Sequence, residues 1–535
     1  MRQFNLLVVV GALGFAVGCG GNTGQPVAPS GGGQTPATPP TSPATGGNAA
    51  SKPPPAEVFA LPPRPNETDF IARVDADPKP IDAAPLAKAA KVKGIGARPA
   101  SCAAYETRTA PAKASKDDLS AALAENDPGK RDGLLVAIAA SKPDLIPALR
   151  ADLAPIECAD AITDKKIPQT GNVTGPQSHV LVGLSLASKL ARTALTPPVP
   201  SEADTKDKEK VKAFIKGPLA KWVIEQATAI ETLSAAAAGL QGYGRGVSAV
   251  EAGIADLRLV DKIRSSPTPK AWDKELKSVY EAALDEALEP RKNRGRDAAL
   301  VGFSDLAQIG SLHHRSVKNA RALLAKLYGG RRIDALDGLL LPPWTAQHAD
   351  SPISAYWSLV LPELASRTEG VGPRPKDCNS ATCLAYARAR FEMGRVYWRR
   401  ADFIEAAHAA KEAGDDPHAR LVLALSLAIA QGPNGAKEMM TAPTPSALNL
   451  GHVEALDSVA TEGHATSGLA AFDAAHLKSL TVPEGDAAVP YLRDVAARFK
   501  KSAPLLPDAS TKKLAEQRAD ETEATAFALD KKKQP

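Results

Sequence analysis

At 535 residues the chain has room for two to four domains or for one extended helical array. Its 65 Lys and Arg nearly cancel 60 Asp and Glu, and a net charge of +5 excludes the concentrated basic footprint of a dedicated nucleic-acid binder. Aromatic residues make up only 4%, and an interior built mainly from Ala and Leu suits closely packed helices and suits a β-sandwich poorly.

The first element is the apolar run from Leu6 to Val17, "LLVVVGALGFAV". It falls well short of the about 20 residues that a bilayer-spanning helix needs. One positive charge, Arg2, precedes the run and small residues end it, which is the shape of a secretory signal peptide. The ending, Ala16-Val17-Gly18-Cys19, resembles the lipobox of bacterial lipoproteins. The resemblance implies that residues 1–18 are removed and that Cys19 becomes the acylated first residue of the mature chain, its membrane anchor. Gly20 stands where an acidic residue would direct inner-membrane retention, so the resemblance implies the outer membrane. The alternative is a plain signal peptide followed by an incidental cysteine.

From Gly20 to Ser51 there is no Asp, Glu, Lys or Arg, and Pro, Gly, Ser, Thr and Ala dominate. Such a stretch buries too little apolar surface to offset its ordering entropy, so residues 19–60 are expected to be a disordered linker. A flexible linker of about 40 residues reaches on the order of 35 Å, enough to hold a folded body away from a membrane. Residues 61–99 remain proline-rich and are expected to be irregular.

Beyond residue 100 the pattern is helical, divided into an N-terminal region (100–200), a central region (201–345), a C-terminal region (346–505) and a charged tail (506–535). Ser115-Lys116-Asp117-Asp118, Ser141-Lys142-Pro143-Asp144 and Ser201-Glu202-Ala203-Asp204 have capping-box spacing. Asp127-Pro128-Gly129 and Pro143 punctuate short helices, and the paired short helices loosely resemble HEAT-type units. Leu219, Val223, Ala227, Ile230, Leu233, Ala237 and Leu240 fall at steps of three and four, as do Trp272, Leu276, Val279, Ala283 and Ala287. Each set predicts the buried face of one helix.

Once Cys19 is lipidated, Cys102, Cys158, Cys378 and Cys383 remain, an even number that reads as two disulfides in an exported chain. Three pairings are possible. The local one is expected, Cys102 with Cys158 and Cys378 with Cys383, the second closing "CNSATC" at the start of a helix. A zinc site wants four converging ligands, and His348 and His408 are both far from that loop in sequence, so no metal is expected.

The segment Ala389–Gly432, "ARFEMGRVYWRRADFIEAAHAAKEAGDDPHARLVLALSLAIAQG", resembles a tetratricopeptide repeat. Gly394 takes the place of the small residue where its two helices cross, and Tyr397 that of the large residue three positions on. Ala401-Asp402-Phe403 would make the turn. Ala406 and Ala413 would be the small packing residues of the second helix, and Pro417 would end the unit. Ala428, thirty-four residues past Gly394, is again small and hints at a following repeat. Such arrays generally bind peptides or proteins, which the resemblance implies here.

No catalytic motif appears. "GLSLA" at Gly183 and "GFSDL" at Gly302 lack the last glycine of a nucleophile elbow and lie in helical patterns. "GYGRG" at Gly242 reads as a helix-ending turn, and the adjacent His313 and His314 point about 100° apart on a helix, too divergent to chelate one ion easily. The expectation is therefore an all-α, helical-repeat (TPR/HEAT-like) α-solenoid behind a disordered linker. It is lipid-anchored in the cell envelope and acts by protein–protein interaction, with an envelope protein or peptidoglycan as partner. No cofactor, no nucleic acid and no enzymatic activity are expected. Two alternatives are a glycan- or solute-binding lipoprotein and a cell-wall-degrading enzyme. Few aromatics count against the first, and the absence of a Glu-Ser start with its glycine-rich stretch counts against the second.

Overall fold

The computed structural model describes residues 59–69, 79–143, 145–164, 176–201, 203–266, 268, 272–309, 314–328, 335–342, 353–361, 373–397, 400–430 and 453–533. All regular structure among them is helical, in line with the all-α expectation. The first group comprises α1 (Ala83–Ala89), α2 (Ala103–Thr107), α3 (Leu119–Ala124), α4 (Pro128–Ile138), α5 (Leu145–Leu153), α6 (Ala159–Thr163) and α7 (Pro176–Ala191). It continues with α8 (Lys208–Phe214), α9 (Ala220–Ala238), α10 (Gly242–Arg264), α11 (Lys274–Gln308), α12 (Arg315–Tyr328) and α13 (Ala355–Val360). The second group comprises α14 (Ser380–Tyr397), α15 (Arg400–Glu412), α16 (Pro417–Ala430), α17 (Val453–Ala460), α18 (Ser467–Ser479), α19 (Ala488–Ser502) and α20 (Ala509–Lys533). No helix among the described residues is long and apolar enough to cross a membrane.

Aspartates set many of the helix starts. Asp82, Asp118, Asp127 and Asp207 each accept hydrogen bonds from the first free amides of α1, α3, α4 and α8, and Pro128 follows Asp127 where its missing N–H costs nothing. This corrects two of the expected capping boxes. Ser115 Oγ accepts from the Asp117 amide and leaves the cap to Asp118, while Ser141 Oγ donates back to the Ile138 carbonyl and finishes α4. Ser201 behaves as expected, accepting from the Asp204 amide while the Asp204 carboxylate takes the Ser201 hydroxyl. Residues 83–89, expected to be irregular, form α1 because Asp82 caps an Ala/Leu run.

The first core gathers around α10, which packs on α7, α9, α11 and α12. Leu219, Val223, Ala227, Ile230, Leu233, Ala237 and Leu240 are all buried there, as predicted. The stripe on α11 is different. Val279 is 48% exposed, and the buried face is carried by Leu284 and Leu288 with Tyr280 packed beside them. Alanine fits either face of a helix, so a register built on Ala283 and Ala287 was free to slip by one residue.

"GYGRG" is likewise only partly a helix end. Gly242 turns the chain with φ +55°, but Gly244 and Gly246 lie inside α10. There they let helices touch through their backbones: a Cβ on Gly244 would lie 2.0 Å from the His179 carbonyl oxygen of α7, and one on Gly183 2.3 Å from the Gly244 oxygen. Gly253 meets Gly295 and Ala299 of α11 in the same manner.

The second core is built by helices packed in chain order, α14 on α15, α15 on α16, α16 on α17, α17 on α18, α18 on α19 and α19 on α20. The segment expected to be a charged tail is thus largely helix α20, with Ala515, Ala519 and Ala526 buried.

Two short segments cross between the cores. Residues 59–69 lie against the second core through Phe59 and Leu61, whereas residues 79–96 belong to the first, with Ile81 and Ala89 buried in it. Further on, Leu336 and Leu339 enter the second core, after which Ile353, Tyr356, Trp357 and Leu361 return to the first. The boundary expected at 345/346 therefore does not separate the two cores, since α13 packs with the first.

The Leu336–Leu339 crossing is fastened by Asp473 of α18, whose Oδ1 accepts the Leu340 amide at 2.7 Å while Oδ2 is buried without a hydrogen bond. Burial holds this carboxyl well above the usual aspartate range. The folded chain therefore binds a proton that the unfolded chain releases, and this contribution is present in full below the ordinary aspartate pKa and fades as pH rises through the raised value. Asp473→Asn keeps the acceptor and removes the ionisation. Its urea midpoint should gain on wild type between pH 5 and pH 8, and parallel pH dependences would refute this assignment.

Candidate functional site

The largest concentration of buried polar chemistry lies in the first core around Asp152 of α5. Its carboxylate accepts from the Tyr243 hydroxyl at 2.8 and 2.9 Å and from Trp357 Nε1 at 2.7 Å, and His314 Nε2 stands 3.5 Å away. The Asp152 carbonyl accepts from Arg315 at 3.0 Å. Tyr243 stacks on Tyr356 with centroids 4.6 Å apart, and Trp357 meets both rings edge-on. Burial opposes the Asp152 charge, but hydrogen bonding and attraction from His314, with Trp357 and Arg315, outweigh it and hold the carboxyl below its usual range. Burial beside that charge pushes the Tyr243 phenol well up.

Asp, His and Ser meet here without forming a nucleophilic triad. His314 Nδ1 accepts the Ser316 backbone amide, which leaves the Nε2 proton facing Asp152 in the neutral ring. The Ser316 hydroxyl instead donates to the buried Glu251 carboxyl at 2.5 Å. Burial raises the Glu251 pKa. Tyr243, Trp357 and Asp152 are all buried, so the cluster pins α5, α10, α12 and α13 together rather than meeting a substrate.

Charge that does reach the surface is organised on the second core, under residues 59–67. Glu405 of α15 has no exposed side-chain surface, yet it accepts two guanidinium groups: Arg64 at 2.9 and 3.0 Å and Arg374 at 2.7 and 2.8 Å. Burial would raise the Glu405 pKa, but these two arginines bring it below the ordinary glutamate value. Arg64 also reaches Glu412 one to two turns on, at 2.5 Å. His408, between the two glutamates, donates Nε2–H to the Pro62 carbonyl at 2.8 Å, and Arg374 donates to the Pro65 carbonyl at 3.2 Å. The Arg420 guanidinium lies 5.5 Å from the centre of the Phe59 ring. Glu405, His408 and Glu412 follow at steps of three and four, so one face of α15 presents acid, imidazole and acid to an extended piece of chain.

The cysteines are joined as expected. Cys102 and Cys158 are buried with Cα atoms 5.0 Å apart, and Cys378 and Cys383 lie 5.3 Å apart at the start of α14. In the loop-entropy account the first linkage, 56 residues apart, stabilises the fold by about 4 kcal/mol. Cys378, Cys383 and Glu412 bring potential ligand atoms within 4.8 Å of one another, but disulfide sulfurs are not thiolates and Glu412 is held by Arg64.

The residues singled out for repeat packing fare unevenly. A Cβ on Gly394 would sit 3.0 Å from the Phe403 ring, so Gly394 is a close crossing of α14 and α15. Ala406 and Ala413 are buried, and Ala410, where the repeat family prefers an aromatic, is buried too. The Tyr397 side chain and Cys19 lie outside the described residues. Two details are corrected. Ala401-Asp402-Phe403 is not a turn but the first part of α15, because Asp402 is buried as the partner of Arg390. Pro417 opens α16 rather than closing α15, with Asp416 accepting the His418 and Ala419 amides just before it.

Comparison with known protein families, with curated proteins and with solved structures finds no match for this chain.

Proposed function

We propose that the chain is a lipid-anchored adaptor of the bacterial cell envelope, in which Cys19 holds the protein to the outer membrane and a helical-repeat body binds a protein partner. The lipobox-like Ala16-Val17-Gly18-Cys19 and the uncharged stretch behind it support the anchor and spacer. One observation carries the binding role: α14 to α20 pack successively in chain order, and α15 lays an acidic face against an extended segment. Successive helical pairs in a TPR-like solenoid generally offer such faces to peptides.

Replacing Cys19 with Ser should abolish lipid labelling and release the protein from membranes; retained labelling would sink the anchor. The body used as bait on envelope extracts should retain the same few proteins with and without the anchor. Clearing of peptidoglycan in a zymogram, with no protein captured, would replace this reading by an enzymatic one.

A further inference from the structure

We propose that the α15 face is an exchangeable recognition site for an extended, proline-bounded arginine segment of a protein partner, and that residues 59–67 occupy it in cis. This deepens the adaptor reading and rests on it.

The segment "FALPPRPNE" is held in the way a peptide ligand is held. Its arginine is shared between two carboxylates of one helix, two of its proline carbonyls are met by His408 and Arg374, and its aromatic residue lies on Arg420. Pro62, Pro63 and Pro65 restrict the backbone to extended conformations before docking, which lowers the ordering entropy lost on binding. The two glutamates select a guanidinium over an ammonium, because an arginine can serve both carboxylates with separate N–H groups.

The face is built to survive departure of this occupant. Glu405 is fully buried and could not stand alone, but it keeps Arg374 as a resident counter-ion when Arg64 leaves. Glu412 is 42% exposed and returns to water. Phe59 and Leu61 are half-buried additions beside a core already closed by Phe391, Phe403 and Leu421. The chain downstream is secured independently, since the Lys79 amide donates to Gln241 and its carbonyl accepts from His179 in the first core. Residues 59–67 can therefore let go of α15 without loosening residues 79–96.

A cis occupant masks the site in proportion to its occupancy, so weakening it should unmask affinity. The test uses the full chain and a fluorescent synthetic peptide of residues 59–69. Wild type should bind weakly, and the Phe59→Ala/Arg64→Ala double variant should bind at least ~10-fold more tightly. Adding Glu405→Gln to that background should return binding to the wild-type level or below. A peptide carrying Ala in place of Arg64 should not bind. Hydrogen exchange on unaltered protein guards against a variant that misfolds: excess peptide should speed exchange in 59–67 and leave α15 protected. Equal peptide affinities in the folded variants, unchanged exchange, or a doubling of mass through segment exchange between two copies would each overturn the proposal. Failure here with continued capture of envelope proteins would move the adaptor's binding surface elsewhere and leave the adaptor reading standing.

Discussion

Replacing Asp152 with Ala should destabilise the first core by about 3–5 kcal/mol, the range found when one member of a buried charged network is removed. The carboxylate gathers the Tyr243 hydroxyl, the Trp357 indole N–H and His314 from three other segments. Alanine would leave those donors buried and unpaired and open a void among rings that stack at 4.6 Å. Asn is the informative control, since it still accepts the Trp357 N–H but loses the charge facing His314. The expected order of urea midpoints is wild type, then Asn, then Ala, with near-ultraviolet dichroism of Tyr243 and Trp357 lost in parallel. An alanine variant within about 1 kcal/mol of wild type would mean that the cluster is incidental to stability.

A single methyl group added at Gly244 should cost at least about 3 kcal/mol, the upper end for overpacking. Most small-to-large changes meet side chains that can move aside. Here the added Cβ would lie 2.0 Å from the His179 carbonyl oxygen, and a backbone oxygen yields only if α7 and α10 separate. That separation would also disturb the His179 contacts to the Lys79 carbonyl and the Gln241 amide. Gly239→Ala makes the contrast, because nothing lies within 4 Å of its added Cβ. Equal melting temperatures for Gly244→Ala and wild type would show that the two helices approach less closely than described.

How much of this was legible in the sequence depended on whether the signal was local. The stripe from Leu219 to Leu240 was readable because Leu, Val and Ile mark a buried face without ambiguity, and every member is buried. The stripe on α11 was misplaced where the markers were alanines. The cysteine pairing was readable because each pair stands apart from the other in sequence, whereas the caps of α3 and α4 fell to Asp118 and Asp127, which the Ser-led spacing had not singled out. An Ala/Leu-rich composition together with steps of three and four foretold the helices of the described residues. The sites could not be found that way. Trp357 lies 205 residues from Asp152, and Arg64 lies 341 from Glu405. An ion pair between such distant residues leaves no periodicity, and Arg64 and Glu405 individually look like ordinary surface charges. What the sequence could supply was a helix face with acid, imidazole and acid in line; what fills that face came only from the fold.

The two crossings between the cores have a consequence for dissecting the protein. The second core takes residues 59–69 and Leu336–Leu339 from chain that flanks the first, and the first core takes Tyr356 and Trp357 from chain beyond that loan. No single cut yields two pieces that each keep a whole interior. A fragment ending at 345 loses the indole that Asp152 holds, and the complementary fragment loses both Arg64 and the Leu340 amide on Asp473. The lacing makes the halves of this chain mutually dependent despite their separate apolar centres.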